Sequence, residues 1–186
     1  MRLRVLLVAV GMAHPVALGG QSVWDQAAAT VRRLPVDSFP TLPEHAREEM
    51  RRLGCRVPQG SEIADPHNVM SGQFASPDQT DWVFLCSEEG VSSIHVLWGG
   101  EVGCATPLEA ASDRHFLQGL GEGKIGYSRR LMPVGWEKMS RYAAVFGGRE
   151  VPEMEHQGIE DYFEGKASTI LACVNGAWVR LQGMDE

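Results

Sequence analysis

The sequence predicts an α+β fold in which a mainly antiparallel sheet packs with several short helices. Residues 69–98 read as three short consecutive strands, which is the pattern of a β-meander. Residues 167–182 contain two strand-like segments joined by Asn175-Gly176, which predicts a C-terminal hairpin. Segments with helical spacing lie before and between these strands without regular alternation, so a parallel α/β architecture is not expected.

The composition is that of one globular domain of ordinary size. The chain has 186 residues, of which 44% are hydrophobic and 22% are charged, so it has enough apolar side chains for a substantial core. The sequence contains no low-complexity tract and no convincing linker. We therefore expect a single domain over residues 21–186.

Residues 1–20 have the layout of a secretory signal peptide. Arg2 and Arg4 form a short basic region, an apolar run follows, and small residues stand at Gly19 and Gly20. A buried strand is the alternative, because VLLVAV also suits the interior of a sheet. The arginines in front and the glycines behind favour export to the periplasm or the extracellular space.

The first predicted helix begins after Ser22. This serine precedes an apolar-periodic segment and has Asp25 three residues later, which is the spacing of an N-cap with a short acidic capping-box partner. The helical spacing continues over residues 23–34, and Pro35 ends it.

The second predicted helix begins between Thr41 and Glu44. Its apolar stripe, formed by residues at helical spacing, ends before Gly54, which suits the residue that follows a helix C-terminus. Cys55 is therefore expected just beyond the helix end. The stripe consists of Leu42, Ala46, Met50 and Leu53.

The segment DWVFLCS, residues 81–87, is predicted to be the central strand of the meander. Its alternate residues are apolar on both faces, with Phe84 and Cys86 on one face and Val83 and Leu85 on the other. A strand of this kind is expected to have packing partners on both sides.

The region between the meander and the C-terminal hairpin is less regular. Ser112 is expected to cap a short helix over residues 113–120, and residues 124–134 form a weaker strand candidate. Residues 136–146 have apolar side chains at helical spacing and end at Gly147-Gly148, which predicts a further helix.

The four cysteines are Cys55, Cys86, Cys104 and Cys173, and none belongs to a CxxC pair. Zinc-ribbon and thioredoxin-type motifs are therefore absent, and an even number of cysteines in an exported protein indicates two disulfides. Four cysteines allow three pairings. We favour Cys55–Cys86 with Cys104–Cys173, in which each bridge joins a loop or helix end to a strand.

Residues 69–98 resemble a single FG-GAP repeat, the repeat of calcium-binding propeller blades. The matching positions, in order, are Gly72, Phe74, Asp78, Asp81 and the strand 83–85. The resemblance implies a calcium-dependent adhesion module with ligands from Gln73, Asp78 and Asp81.

The same loop departs from the repeat where calcium chemistry is needed. Gln73 stands at the position of the first acid, and Ser76-Pro77 replaces the usual Asn-Gly. Calcium takes six to eight oxygen ligands, several of them carboxylate, and this loop offers only two carboxylates. We therefore favour a metal-free turn that starts a hairpin and expect no cofactor. The chain shows no further repeats, so it does not form a propeller by itself.

The acidic segment 150–166 contains the best catalytic candidates. His156 and Glu160 are four residues apart and would share one face of a helix, with Asp161 beside them. Gly158 interrupts such a helix, and a solvated acidic loop that leads into a short helix is the alternative. GxSxG, SxxK and HExxH motifs are absent from the chain.

The strand DWVFLCS is also similar to one found in small exported, uncharacterised bacterial proteins. That resemblance implies a periplasmic or extracellular setting and brings no activity with it. The net charge of −7 argues against a nucleic-acid partner, and no membrane span is expected after residue 20.

Three functions follow from the sequence as hypotheses. The favoured one is a non-catalytic exported binding domain with a protein or carbohydrate partner. The alternatives are a hydrolase-like enzyme that uses His156, Glu160 and Asp161, and the calcium-dependent module described above.

Overall fold

Two four-stranded antiparallel sheets form the centre of the molecule. The computed structural model describes residues 22–146 and 151–184. The helices are α1 (Val23–Ala29), α2 (Glu44–Arg52) and α3 (Trp136–Phe146). The strands are β1 (Arg33–Leu34), β2 (Val57–Pro58), β3 (Val69–Gly72), β4 (Asp81–Glu88), β5 (Val91–Leu97), β6 (Leu108–Ser112), β7 (Leu117–Gly119), β8 (Ile125–Tyr127), β9 (Arg129–Val134), β10 (Gly158–Phe163), β11 (Ala167–Val174) and β12 (Ala177–Gln182).

All strand pairings in the described residues are antiparallel, which confirms the predicted α+β class. The first large sheet has the order β3-β4-β5-β6, and the second has the order β12-β11-β10-β9. Two small pairs, β1-β2 and β7-β8, lie beside them. The meander and the C-terminal hairpin thus belong to different sheets.

The elements stack in four layers, because both large sheets are apolar on both faces. The largest core cluster joins Val83 and Leu85 of the first sheet to Ile159 and Leu171 of the second. The opposite face of the first sheet packs against α2 through Phe84. The opposite face of the second sheet packs against α3 in the same way. The order of layers is therefore helix, sheet, sheet, helix.

Strand β4 is the central strand that its sequence predicts. It pairs with β3 on one side and β5 on the other. Val83 and Leu85 lie between the sheets, and Phe84 and Cys86 lie on the α2 side. The apolar character of both faces, visible in the sequence, reflects these two layers of packing.

The first helix has the predicted cap but is shorter than expected. Ser22 Oγ accepts a hydrogen bond from Asp25 N, and the Asp25 carboxylate accepts one from Ser22 N, which completes the capping box. The helix ends at Ala29, because residues 33–34 leave the helical path to pair with β2 as a strand.

The second helix and its C-terminus agree with the sequence. Ala46 and Met50 are completely buried, and Gly54 has a φ of +63°. That left-handed conformation favours glycine and directs the chain to Cys55. Pro43 occupies the N-cap position and provides no side-chain hydrogen bond.

The C-terminal hairpin is confirmed, and so is the helix over residues 136–146. Asn175 and Gly176 join β11 to β12 with φ values of +50° and +76°. Positive φ at both central residues is the requirement of a type I′ turn, which Asn-Gly satisfies at little cost.

Two predicted helices are absent from the described structure. Residues 113–116 form a 3-10 turn capped by Ser112, and the chain then enters β7 instead of completing a helix to residue 120. Residues 158–163 form strand β10, which pairs with β9 and β11. The helical prediction for the acidic segment was wrong. Glu160 and Asp161 are charged but lie buried in a strand, because each pairs with residues that are distant in the sequence.

The disulfides are Cys55–Cys86 and Cys104–Cys173, the pairing favoured from the sequence. The first bridge ties the end of α2 to β4. The second ties the loop before β6 to β11 and so connects the two sheets. Beside it, the indole N–H groups of Trp98 and Trp178 donate to the carbonyl oxygens of Cys104 and Ala105, over 3.0 and 2.7 Å.

The predicted signal peptide, residues 1–20, and Gly147-Gly148 lie outside the described residues. In the ranges that the structure does describe, no helix is both long enough and apolar enough to cross a membrane.

Candidate ligand-binding cleft

The three predicted catalytic residues lie in different surroundings. Glu160 and Asp161 are neighbours on β10, so their side chains point to opposite faces of the second sheet. His156 precedes the strand, is half-buried, and has Nδ1 3.2 Å from the carbonyl oxygen of Gln157. The structure therefore does not bring the three side chains together.

Both carboxylates of this set are buried and already paired. Glu160 accepts a hydrogen bond of 2.6 Å from Ser168 Oγ and lies 3.1 Å from Lys138 Nζ. Asp161 accepts two hydrogen bonds of 2.8 Å from Arg129. These contacts account for both acids as parts of the core.

The predicted calcium ligands are also separated. The Asp81 carboxylate is completely buried and accepts hydrogen bonds from the backbone N–H groups of Phe74 and Gly99 and from Gln79 Nε2. Gln73 Nε2 donates to the carbonyl oxygen of Pro77, and the side chain of Asp78 is exposed. Asp81 thus points into the protein while Asp78 points into solvent.

The described residues contain no group of three or more His, Cys, Asp or Glu side chains that would hold a metal ion.

A cleft lies between α1, the turn that joins β4 to β5, and the 3-10 turn at residues 113–116. Its volume is about 530 Å³, which is within the range of small-molecule sites in proteins. Six of its lining side chains are charged. They are Asp25, Arg33, Arg56, Glu89, Asp113 and Arg114.

A buried network of Arg33, Ser87 and Asp113 forms the floor of this cleft. Arg33 Nη2 donates to Asp113 Oδ2 over 2.6 Å, and its Nε donates to the same oxygen and to Ser87 Oγ, both over 3.1 Å. Ser87 Oγ donates to Asp113 Oδ2 over 2.7 Å. The exposed fraction is 3% for Ser87 and 1% for Asp113, so these two groups hold Arg33 in place.

Local hydrogen bonds position the residues that form this floor. Ser112 caps the 3-10 turn, and Asp113 N donates to the carbonyl oxygen of Gly90 over 2.8 Å. Asp113 Oδ1 is buried without a hydrogen-bond partner in the described part of the chain. A buried acceptor in that state costs free energy, which the contacts of Oδ2 with Arg33 and Ser87 offset.

An exposed ion pair crosses one side of the cleft. Arg114 pairs with Asp25 of α1, and Nη2 of the same arginine lies 3.4 Å from Ser22 Oγ. The hydrogen bond from Ser22 lowers the pKa of the Asp25 carboxyl, and Arg114 lowers it further. Asp25 therefore stays ionised and keeps α1 attached to the 3-10 turn.

Two further charged side chains line the cleft without a charged partner among the described residues. Arg56 Nη2 donates to the carbonyl oxygen of Arg33 over 3.2 Å. Glu89 makes no hydrogen bond or ion pair with any other described residue, and the two side chains do not pair with each other.

Little in the sequence indicates this cleft. Arg33 lies 54 residues from Ser87 and 80 residues from Asp113 along the chain. The serine cap at residue 112 places Asp113 in the first turn of a helical element, and this was the only local signal.

Comparison with protein-family models finds no match for this chain. Comparisons with curated proteins and with solved structures find no match either.

Proposed function

We propose that the chain is an exported, non-catalytic binding domain and that the cleft beside α1 is its ligand site. Export rests on the signal-peptide layout of residues 1–20 and on the two disulfides, because disulfides persist mainly in oxidising compartments. The expected location is the periplasm or the extracellular space.

The observation that carries the binding function is the fixed, charged floor of the cleft. Arg33 is held by Asp113 and Ser87 and by the carbonyl oxygen of Val31, so its guanidinium does not reorganise when a ligand arrives. Prepositioned polar groups in a concave site lower the entropic cost of binding.

The same contacts favour binding over catalysis. Ser87 and Asp113 lie within hydrogen-bond distance of each other, but both are almost completely buried. A nucleophile must reach the reacting atom of its substrate. Ser87 is only 3% exposed, so its hydroxyl has little access to the open volume of the cleft. The accessible groups of the cleft are charged side chains that suit recognition.

The binding function is tested with ¹⁵N-labelled protein and a library of small polar metabolites. We expect at least one class of compound to shift the backbone amides of Ala29, Gly90 and Arg114 together. Ala29→Trp, which fills the cleft from α1, should abolish these shifts. Gln26→Trp changes the same exposed helix outside the cleft and should preserve them. A library that shifts no cleft amide overturns the proposal.

Export is tested separately by expressing the full chain in a bacterial host. We expect the periplasmic fraction to contain a chain shortened by about 20 residues, with no free thiols when it is denatured without reductant. A full-length cytoplasmic product with four free thiols would contradict export.

A further inference from the structure

We propose that the ligand of this cleft is a zwitterion, a molecule with one carboxylate and one ammonium group such as a free amino acid or a short peptide. This inference rests on the proposed binding function and adds the chemical class of the ligand. Its basis is the distribution of charge around the cleft.

The six charged side chains that line the cleft comprise three guanidinium and three carboxylate groups. Four of these side chains already form two ion pairs within the protein. Arg33 is paired with Asp113, and Arg114 is paired with Asp25. The cleft is therefore close to neutral overall, and neither a strongly anionic nor a strongly cationic ligand complements it.

Arg56 and Glu89 remain as one positive and one negative charge that line the same volume without closing an ion pair. Arg56 uses one nitrogen for the carbonyl oxygen of Arg33, and Nε and Nη1 make no hydrogen bond with other described residues. A guanidinium is suited to a carboxylate, and a carboxylate is suited to an ammonium group.

The backbone segments that carry these two side chains are anchored. Ser87 N donates to the carbonyl oxygen of Arg56 over 2.8 Å, and the adjacent Cys55–Cys86 bridge fastens the same segment to β4. Glu89 and Gly90 have φ values of +50° and +81° in the turn after β4. The turn and the bridge fix the backbone positions from which the two exposed side chains extend, so a ligand in the cleft completes an ion pair with each of them without a backbone rearrangement.

This arrangement predicts discrimination against ligands with one charge. A simple carboxylate would meet Glu89, and a simple amine would meet Arg56. Each would gain one attractive contact and suffer one repulsive contact, whereas a zwitterion gains both attractive contacts.

The experiment uses amino acids that differ only in the separation of their two charges. Glycine, β-alanine, γ-aminobutyrate and ε-aminohexanoate are titrated into the protein by calorimetry, with hexanoate and hexylammonium as single-charge controls. We expect one or two adjacent members of the series to bind at least about tenfold more tightly than either control.

Single and paired variants then assign the two contacts. Arg56→Gln and Glu89→Gln should each weaken the best zwitterion by about tenfold, because each removes one ion pair. Arg141→Gln and Glu62→Gln are matched surface controls outside the cleft and should bind like the original protein. The charge-swapped variant R56E/E89R should recover binding, with the ligand reversed in orientation.

The outcomes separate this inference from the proposed function. If no zwitterion binds while library compounds still shift the cleft amides, the zwitterion class is wrong and the binding function stands. If the zwitterion binds equally well to Arg56→Gln and Glu89→Gln, the inference is also overturned. If nothing shifts the cleft amides, both proposals fail.

Discussion

Arg129 and Asp161 form a buried ion pair between the two sheets. Two hydrogen bonds of 2.8 Å join the guanidinium to both carboxylate oxygens, and Arg129 is completely buried. The same side chain crosses to the first sheet, where it donates to the carbonyl oxygens of Ser92 and Glu109. The ring of Phe116 lies 4.3 Å from the guanidinium carbon. One arginine thus connects β5, β6 and β10.

Removal of either member of this pair should destabilise the protein strongly. Arg129→Met leaves Asp161 charged and buried, and loss of one partner in such a pair costs about 3–5 kcal/mol. The double variant Arg129→Met/Asp161→Leu leaves no isolated charge and should be more stable than the single variant. Urea unfolding with the disulfides intact measures both free energies.

Arg130→Met is the control for that measurement. Arg130 is the next residue of β9, is 42% exposed, and lies 3.6 Å from Glu164. An exposed pair of this kind contributes about 0–1 kcal/mol. A cost of Arg129→Met as small as that of Arg130→Met would show that the buried pair does not stabilise the fold.

Asn68 should be the most sensitive uncharged position between the sheets. Its amide nitrogen donates to the carbonyl oxygens of Pro58 and Arg129, and Oδ1 accepts from Leu131 N over 2.8 Å. Its φ is +65°. Asn68→Gly keeps the backbone conformation but removes the side-chain hydrogen bonds to Leu131 N and to the carbonyl oxygens of Arg129 and Pro58, of which the Pro58 oxygen keeps a bond from Gln59 Nε2. We therefore expect a loss of about 2 kcal/mol or more in unfolding free energy.

Asn68→Ala separates the backbone contribution from the hydrogen bonds. Alanine lacks the same hydrogen bonds and in addition disfavours positive φ, so it should cost about 1 kcal/mol more than glycine. Equal stability of the two variants in urea unfolding would contradict a contribution from the backbone conformation.

Apart from the disulfide pairing, the parts of the fold that the sequence predicted are those with a local cause. The Asn175-Gly176 turn, the Ser22 capping box and the two apolar faces of β4 each depend on residues within a few positions of one another. Local geometry imposes these patterns, so they appear in the sequence itself.

Strand β10 and the cleft were missed because their causes are distant in the chain. Glu160 and Asp161 interrupt the apolar alternation of a strand, and only Ser168, Lys138 and Arg129 make their burial tolerable. A single sequence does not show which arginine will meet which acid. The same limit hid the contact of Arg33 with Asp113.

His67 should make stability depend on pH. Its Nε2 accepts a hydrogen bond of 2.7 Å from Gly60 N, so Nδ1 carries the proton and donates to the carbonyl oxygen of Asp65. Burial lowers the pKa of His67, and the charges of Arg130 and Arg32 lower it further, while the Asp65 carbonyl and Glu164 oppose the shift. The folded state therefore favours the neutral ring.

The sign of the effect follows from that lowered pKa. The unfolded chain takes up the proton near the ordinary histidine value of about 6.5, before the folded state does. Stability from His67 is thus fully present above about pH 6.5 and is lost as pH falls toward the folded pKa, by at most about 1.4 kcal/mol per pH unit. Urea unfolding at several pH values between 8 and 5 measures the slope, with about half-unit steps.

Two variants assign the slope to its residue. His67→Leu should reduce the pH dependence in this window, and a remaining part should come from His95, whose pKa burial also lowers. His45→Gln, a change at an exposed histidine on α2, is the matched control. A slope that is the same in His67→Leu as in the original protein would rule out this origin.

Asp81 should contribute to the stability of the fold and not to calcium binding. Its carboxylate accepts hydrogen bonds of 2.9, 2.6 and 2.9 Å from Phe74 N, Gln79 Nε2 and Gly99 N. Asp81→Asn places an amide N–H group against one of these donors and should cost about 2–3 kcal/mol. Asp78→Asn changes an exposed side chain of the same loop and should cost less than about 0.5 kcal/mol.

Calcium would have to displace those N–H donors before it reached Asp81, and the loop would then supply only one further carboxylate, that of Asp78. We therefore expect the melting temperature of the original protein to be the same in millimolar calcium and in chelator, since a ligand that does not bind the folded state does not stabilise it. If calcium instead raised the melting temperature of the original protein but not that of Asp78→Asn, the metal site implied by the resemblance to the FG-GAP repeat would be established.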